Sequence, residues 1–251
     1  MLADERQPFG HKRETVPRAI SPSAAKNRLL EAIPHPIRER LLAHGEHISL
    51  DFADMLLELD QPIRHVFFPT GGLISLIMPV DSGATLEVGR IGDEGMLGLP
   101  LMLGVKVAQL RALVQGPGAA WRIGAAPFCR ELERSLALRQ ILHRYLHLTV
   151  WHLRQTAVCA HFHLVNARLA RWLLMTGDQV HSDEFYITQE FISSMLGVRR
   201  SGVNRAASSL QERKLIRYTR GRLSILDRPA LEAAACGCYA EGKAVYAGFL
   251  G

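Results

Sequence analysis

The pattern of apolar and polar positions changes twice along the 251-residue chain. Residues 1–26 are polar, carry Pro8, Pro17 and Pro22 with mixed charge, and read as a mobile tail. Two short helical stretches follow, at 27–31 and from Pro36 to about His44, punctuated by Pro34 and Pro36. From Ile48 to about Ile123, short runs rich in Val, Ile, Leu and Phe alternate with turn residues. The runs lie at 65–68, 73–78, 85–88, 110–114 and 120–123. The breaks are Pro69-Thr70-Gly71-Gly72, Asp81-Ser82-Gly83 and Gly116-Pro117-Gly118. Short strands at this spacing predict a β-sandwich or barrel, with the glycines supplying φ > 0 where strands reverse.

The period then becomes helical. Pro127 fits the first turn of a helix, and no Gly or Pro occurs from Arg130 to Thr156. Leu138, Ile141, Leu142, Tyr145, Leu148 and Trp151 form one apolar stripe. Such a stripe packs on the β domain or on its own copy across a two-fold axis. A second helix is expected from Leu164 to Met175, with Gly177 as its stop.

The segment from Ile187 to Leu210 has the pattern of two helices joined by a tight turn. Thr188 is a good N-cap ahead of Gln189 and Glu190. Ile192, Met195 and Leu196 form the buried side of the first helix. Gly197 sits where the turn needs a left-handed residue. Val203, Ala206, Ala207 and Leu210 give the second helix its apolar face. That leaves Arg199, Arg200, Ser201, Asn204, Arg205 and Ser208 outward. Arg reads guanine and Asn reads adenine in the major groove, while Ser and further Arg grip phosphate. Two strands, at 215–218 and 222–226, read as a wing around Thr219-Arg220-Gly221, with Arg220 and Arg222 at its tip.

Charge sharpens this picture. The chain carries a formal net charge of +6, and between Leu196 and Arg222 there are eight Lys/Arg against the single acid Glu212. That concentration suits phosphate. Hydrophobic residues at 48% and charged residues at 22% are ordinary globular values. No apolar run is long enough to span a bilayer, residues 1–23 have no signal-peptide core, and a cytoplasmic protein is expected.

Of the four cysteines, Cys129, Cys159, Cys236 and Cys238, only the last two are close in sequence, and a CxC pair reads as plain thiols more readily than as a metal site. His143, His147, His152, His161 and His163 lie on or after the long helix. His143 and His147 are one turn apart, but the reading favoured is of exposed or interfacial imidazoles. No cofactor motif, metal set or catalytic constellation is read. A cupin-like metal enzyme or sensor using the β domain and the histidines is the alternative. It is short of ligands, because His65 is the only histidine between Ile48 and Ile123.

A β-rich domain, a long helix and a winged helix-turn-helix, in that order, resemble the Crp/Fnr family of bacterial transcription regulators. The likeness covers residues 27 to 227 and is strongest in Thr188-Gln189-Glu190, Leu196-Gly197-Val198-Arg199-Arg200, Val203-Asn204-Arg205, Leu215-Ile216 and Ile225-Leu226-Asp227. The resemblance implies an α+β chain: a jelly-roll effector-type domain at 27–129, a dimerisation helix at 130–160, a winged helix-turn-helix at 161–238 and a C-terminal tail at 239–251. It implies a homodimer on a palindromic operator of double-stranded DNA, RNA polymerase as a further partner, and no membrane. The expected DNA-binding residues are Thr188, Gln189, Arg199, Arg200, Ser201, Asn204, Arg205, Arg220 and Arg222. Arg200 and Arg205 match family positions that contact DNA, and Ser201 stands where many members have a Glu that reads cytosine.

Gly89 to Gly98 resembles the family's glycine-rich turn, so Gly95, Gly98, Leu99 and Arg111 mark the candidate effector pocket. Leu99 stands where cyclic-nucleotide members have a ribose-binding Glu, and Ala108 near their phosphate-binding Arg. These departures argue against control by cyclic AMP. With no cysteine before Cys129, an N-terminal iron-sulfur cluster is not expected either. The effector stays unassigned.

Overall fold

The computed structural model describes residues 26–80 and 84–250. The tail expected at 1–26, apart from Lys26, and the turn Asp81-Ser82-Gly83 lie outside the described residues. Asn27 caps α1 (Arg28–Ala32): its Oδ1 accepts the Leu30 N–H at 2.8 Å, and its Nδ2 donates to the carbonyls of Pro69 and Gly95. One buried amide thus seats the first helix on the β domain. α2 (His35–Leu42) follows, with Pro36 in its first turn.

The β domain is an antiparallel sheet of β1 (Gly45–Leu50), β2 (Met55–Leu57), β3 (His65–Pro79), β4 (Thr85–Ile91) and β5 (Arg111–Gly124). The strand order is β1-β5-β3-β4, with β2 also on β5. A 3-10 turn, Leu99–Leu103, crosses between β4 and β5. Two expected reversals do not occur. Pro69-Thr70-Gly71-Gly72 lies inside β3 and Gly116-Pro117-Gly118 inside β5, and the two strands pair through these segments with register shifts. Gly72 has φ +84°, and a Cβ on Gly118 would overlap the Gly71 backbone. These glycines serve bulges and close backbone approach, which leave the same sequence signature as a turn.

The expected continuous helix from Arg130 is two helices, α3 (Ala125–Arg134) and α4 (Leu136–Phe162). Ser135 breaks them at φ −121°, ψ 106°, and its Oγ accepts the Leu138 N–H, the capping geometry that starts α4. Leu138, Ile141, Leu142, Tyr145 and Leu148 are buried against Phe68, Ile123 and Phe128 in the β-domain core. Five of the six stripe residues are therefore covered within one chain, while Trp151 is half-buried outside that core. α5 (Val165–Val180) runs through Gly177 and ends at His181, which takes the left-handed conformation instead. Gly177 is small because Ser182, Ile225 and Arg228 press on it.

The C-terminal part comprises β6 (Glu184–Tyr186), α6 (Gln189–Leu196), α7 (Arg200–Glu212), β7 (Ile216–Thr219), β8 (Arg222–Ile225), α8 (Arg228–Ala234) and α9 (Cys238–Leu250). Its sheet has the order β6-β8-β7. Residues 239–251, expected as a tail, lie in α9 as far as they are described. Tyr239 is buried and donates to Asp178 Oδ2 at 2.9 Å, while Val245 and Tyr246, six and seven residues on, pack on the β-domain core. The second core gathers α5, α6, α7 and the wing, and reaches Ile77 and Leu113 of the β domain.

Candidate nucleic-acid interface

The helix-turn-helix forms for local reasons. Thr188 Oγ1 accepts the Phe191 N–H at 3.1 Å and opens α6. Gly197, at φ 62° and ψ 39°, closes it in the left-handed conformation that costs glycine nothing. Arg168 on α5 donates to the Leu196 carbonyl at 2.5 Å and fixes the end of α6. α7 buries Val203, Ala206, Ala207 and Leu210, and the two alanines are small enough to let the helices cross closely.

With that face buried, Arg199, Arg200, Ser201, Asn204 and Arg205 are all exposed. Thr188 and Gln189 are half-buried beside them, and Gln189 Nε2 donates to Asn204 Oδ1 at 3.2 Å. The wing turns at Arg220 (φ 51°) and Gly221 (φ 83°), two successive left-handed residues that suit a type I′ hairpin. Tyr218 ties the wing down: its hydroxyl donates to the Ile187 carbonyl and its N–H to Gln211 Oε1, each at 2.8 Å. Arg220 and Arg222 are exposed at the tip. Among the described residues, none of the eight Lys/Arg between Leu196 and Arg222 forms an ion pair with a carboxylate. All nine residues picked from the sequence therefore fall on the helix-turn-helix or the wing.

The effector residues fare differently. A Cβ on Gly95 would collide with Tyr145, whose Oη accepts the Met96 N–H at 3.1 Å. Gly98, at φ +98°, rests on Val66, and Leu99 is in the core. Arg111 is engaged by Glu58 at 2.5 Å and partly faces solvent. Tyr145 of α4 thus occupies the space beside the glycine turn.

Two features escaped the sequence reading. The first is an interdomain lock. Glu87 and Arg90 on β4 pair at 2.7 Å, both nearly inaccessible, and Arg90 lies 4.9 Å over the Trp172 ring and donates to Thr176. A cleft of about 260 Å³ adjoins it, lined by Arg90, His152, Leu153, Arg171, Trp172 and Met195 among others. The second is a convergence of Cys159, His163, Cys236 and Cys238, whose donor atoms all lie within 4.8 Å of one another. The CxC spacing of Cys236 and Cys238 does not reveal it, because the other two residues come from the last turn and the C-cap of α4. The signal available was Cys159 and His163 at a one-turn helical spacing.

Residues 167–234 match the family model of the Crp-like helix-turn-helix domain. No curated protein matches the chain. Several solved structures share its fold. A putative Crp/Fnr-family transcriptional regulator from Eubacterium rectale superposes with a TM-score of 0.66 at 17% identity, over 82% of this chain and 96% of that one. FixK2 from Bradyrhizobium japonicum gives 0.65 at 13%, over 76% and 98%. The c-di-GMP-responsive global regulator CLP from Xanthomonas campestris gives 0.63 at 15%, over 76% and 99%. At these identities the likeness is one of fold.

Proposed function

We propose, from a Crp-like helix-turn-helix domain carried on the fold of the Crp/Fnr regulators, that this chain is a sequence-specific DNA-binding transcription regulator. It binds a palindromic operator as a homodimer, without cyclic AMP, and acts by binding and not by catalysis. The observation that carries this reading is the exposed, carboxylate-free set Arg199, Arg200, Ser201, Asn204 and Arg205 on the first turns of α7. The first turns of the second helix enter the major groove most deeply in this motif. Cations with hydroxyl and amide groups there suit both base edges and phosphates.

The dimer surface differs from the stripe expected from the sequence, which is spent on the β domain. Flanking that stripe on α4, Leu146, Val150, Leu153 and Ala157 recur at intervals of four, three and four, the spacing of a coiled-coil seam, with Leu146 also packing on the β-domain core. Leu153 is 45% exposed, a large apolar side chain on this seam that a partner helix would cover. Independence from cyclic AMP is supported by Tyr145 against Gly95 and by the engagement of Arg111 with Glu58. An anionic phosphate needs a free cation or a cradle of amides.

Selection of bound sites from random duplex DNA tests the reading. The expected result is a palindrome whose half-sites lie about 10 base pairs apart or a multiple of that. Equal affinity for selected and scrambled duplexes across a salt series would overturn it. Calorimetry with cyclic AMP and cyclic GMP should show no binding, and micromolar affinity for either would defeat the nucleotide part alone.

A further inference from the structure

We propose that Cys159, His163, Cys236 and Cys238 form a Cys3His site for one tetrahedral, thiophilic divalent ion of the zinc class, which staples the end of α4 to the α8–α9 corner.

The donor geometry carries the proposal. Cys159 Sγ lies 3.5 Å from Cys236 Sγ, and Cys238 Sγ lies 3.6 Å from His163 Nδ1. No pair among the four donor atoms is farther apart than 4.8 Å. Thiolates about 2.3 Å and an imidazole nitrogen about 2.0–2.1 Å from a tetrahedral zinc are separated along its edges by about 3.5–3.8 Å. The four donors are thus already close to the corners of one such tetrahedron. A multi-iron cluster spreads its ligands over several metal atoms, and donors this close leave no room for one.

The fold builds this convergence from distant parts. Cys159 is in the last turn of α4 and His163 is its C-cap, four residues on and on the same face. Cys236 lies between α8 and α9 and Cys238 is the first residue of α9, 77 and 75 residues from their respective partners. The three cysteines are buried, and none is in a disulfide.

A second observation points to the same ligand. Arg171, one turn along α5 from the adjoining Ala167, is 7% exposed, and its Nε has no hydrogen-bond partner. It forms no ion pair with a carboxylate among the described residues, and it lines the same cleft as Cys159. A buried cation without a counter-charge is strongly unfavourable. Three thiolates around one divalent ion carry a net charge of −1, which supplies that counter-charge, whereas three neutral thiols do not. On binding, the thiols release their protons to solvent. The ion then fixes the corner between α4 and α5, where the long helix passes into the winged domain. The site stands independently of any assignment of DNA contacts.

The test uses the full chain, purified under reducing conditions without chelator. Elemental analysis should find about one zinc per chain. After removal of that metal, titration with Co2+ should give the intense visible bands and thiolate charge-transfer absorption of tetrahedral cobalt, saturating at one equivalent. Cys238→Ser should weaken Co2+ binding by about a hundredfold or more. His163→Cys should retain one-to-one binding with a spectrum shifted towards four thiolates. Absence of tetrahedral bands from the wild-type chain would overturn the proposal, whether or not any variant folds. So would iron with acid-labile sulfide, or a Cys159–Cys236 disulfide persisting under reduction.

Discussion

Trp172 Nε1 donates a hydrogen bond of 3.1 Å to Glu87 Oε1, joining α5 to β4 across 85 residues of chain. The same carboxylate accepts from Arg90 at 2.7 Å and, through its other oxygen, from Ser75, also at 2.7 Å. Arg90 then covers the indole ring. One buried carboxylate therefore bonds to groups from both halves of the molecule.

Glu87→Ala should destabilise the chain by about 3–5 kcal/mol, because it leaves the buried Arg90 guanidinium without a counter-charge and the Trp172 N–H without an acceptor. Urea denaturation of the variant beside the wild type measures this. Glu87→Gln keeps an acceptor for Trp172 and isolates the charge. A loss below about 1 kcal/mol for the alanine variant would mean that solvent reaches Arg90 readily.

The helix-turn-helix was legible in the sequence because every signal it uses is local: a threonine cap, a left-handed glycine and a run of small apolar residues at helical spacing. The β domain was legible as a class but not in its connections. Gly71, Gly72 and Gly118 mark bulges where two paired strands approach, and a sequence does not distinguish a bulge from a reversal. The apolar stripe of α4 was found, but which partner covers it depends on the β domain's position. Glu87 with Trp172, and Cys159 with Cys236, meet only because of the tertiary fold, so no periodicity reveals them.

The two faces of α4 should separate stability from assembly. Leu148 is 1% exposed in the β-domain core, and Leu148→Ala should cost about 2–5 kcal/mol of folding stability. Leu153 is 45% exposed, and Leu153→Glu should leave the protomer folded but weaken the dimer. Analytical ultracentrifugation at micromolar concentration, with circular dichroism as the folding control, makes the distinction. A Leu153→Glu chain that still sediments as the wild-type dimer would move the interface elsewhere.

His152 should make stability fall with pH on the acid side. Burial, then Arg171 and Arg90, holds its imidazole down to about 4 from an ordinary 6.5. Glu87 and Arg90 from β4, Arg168 and Arg171 from α5, and Cys159 on the same helix line the adjoining cleft, and the Tyr246 ring of α9 lies 5.9 Å away. Above pH 6.5 the imidazole is neutral in both states and contributes no slope. Between 6.5 and 4 the unfolded chain takes up a proton that the folded chain refuses, so folding stability is lost as pH falls. The loss attributable to this residue is about 1–3 kcal/mol by pH 4. Denaturation profiles of wild type and His152→Leu, differenced across that window, isolate it, and parallel profiles would show that the ring is solvated.

The DNA surface should divide its labour between helix and wing. Arg200 and Arg205 are five residues apart on α7, hence about 140° apart around its axis, and cannot make the same contact. Arg200 and Ser201, in the first turn, face the deepest part of the groove, and Arg205 reads a base further along. Arg220 and Arg222, exposed at the wing tip, meet phosphate. Arg205→Ala should therefore cost about 1–3 kcal/mol on the selected site and relax specificity at one position of each half-site. Arg222→Ala should weaken all sequences alike and make the salt dependence shallower by about one unit per half-site. Competition titrations of both variants on selected and scrambled duplexes at several salt concentrations separate the two behaviours. If Arg205→Ala loses both duplexes equally, Arg205 is a backbone clamp, and base readout rests on Arg200, Ser201 and Asn204.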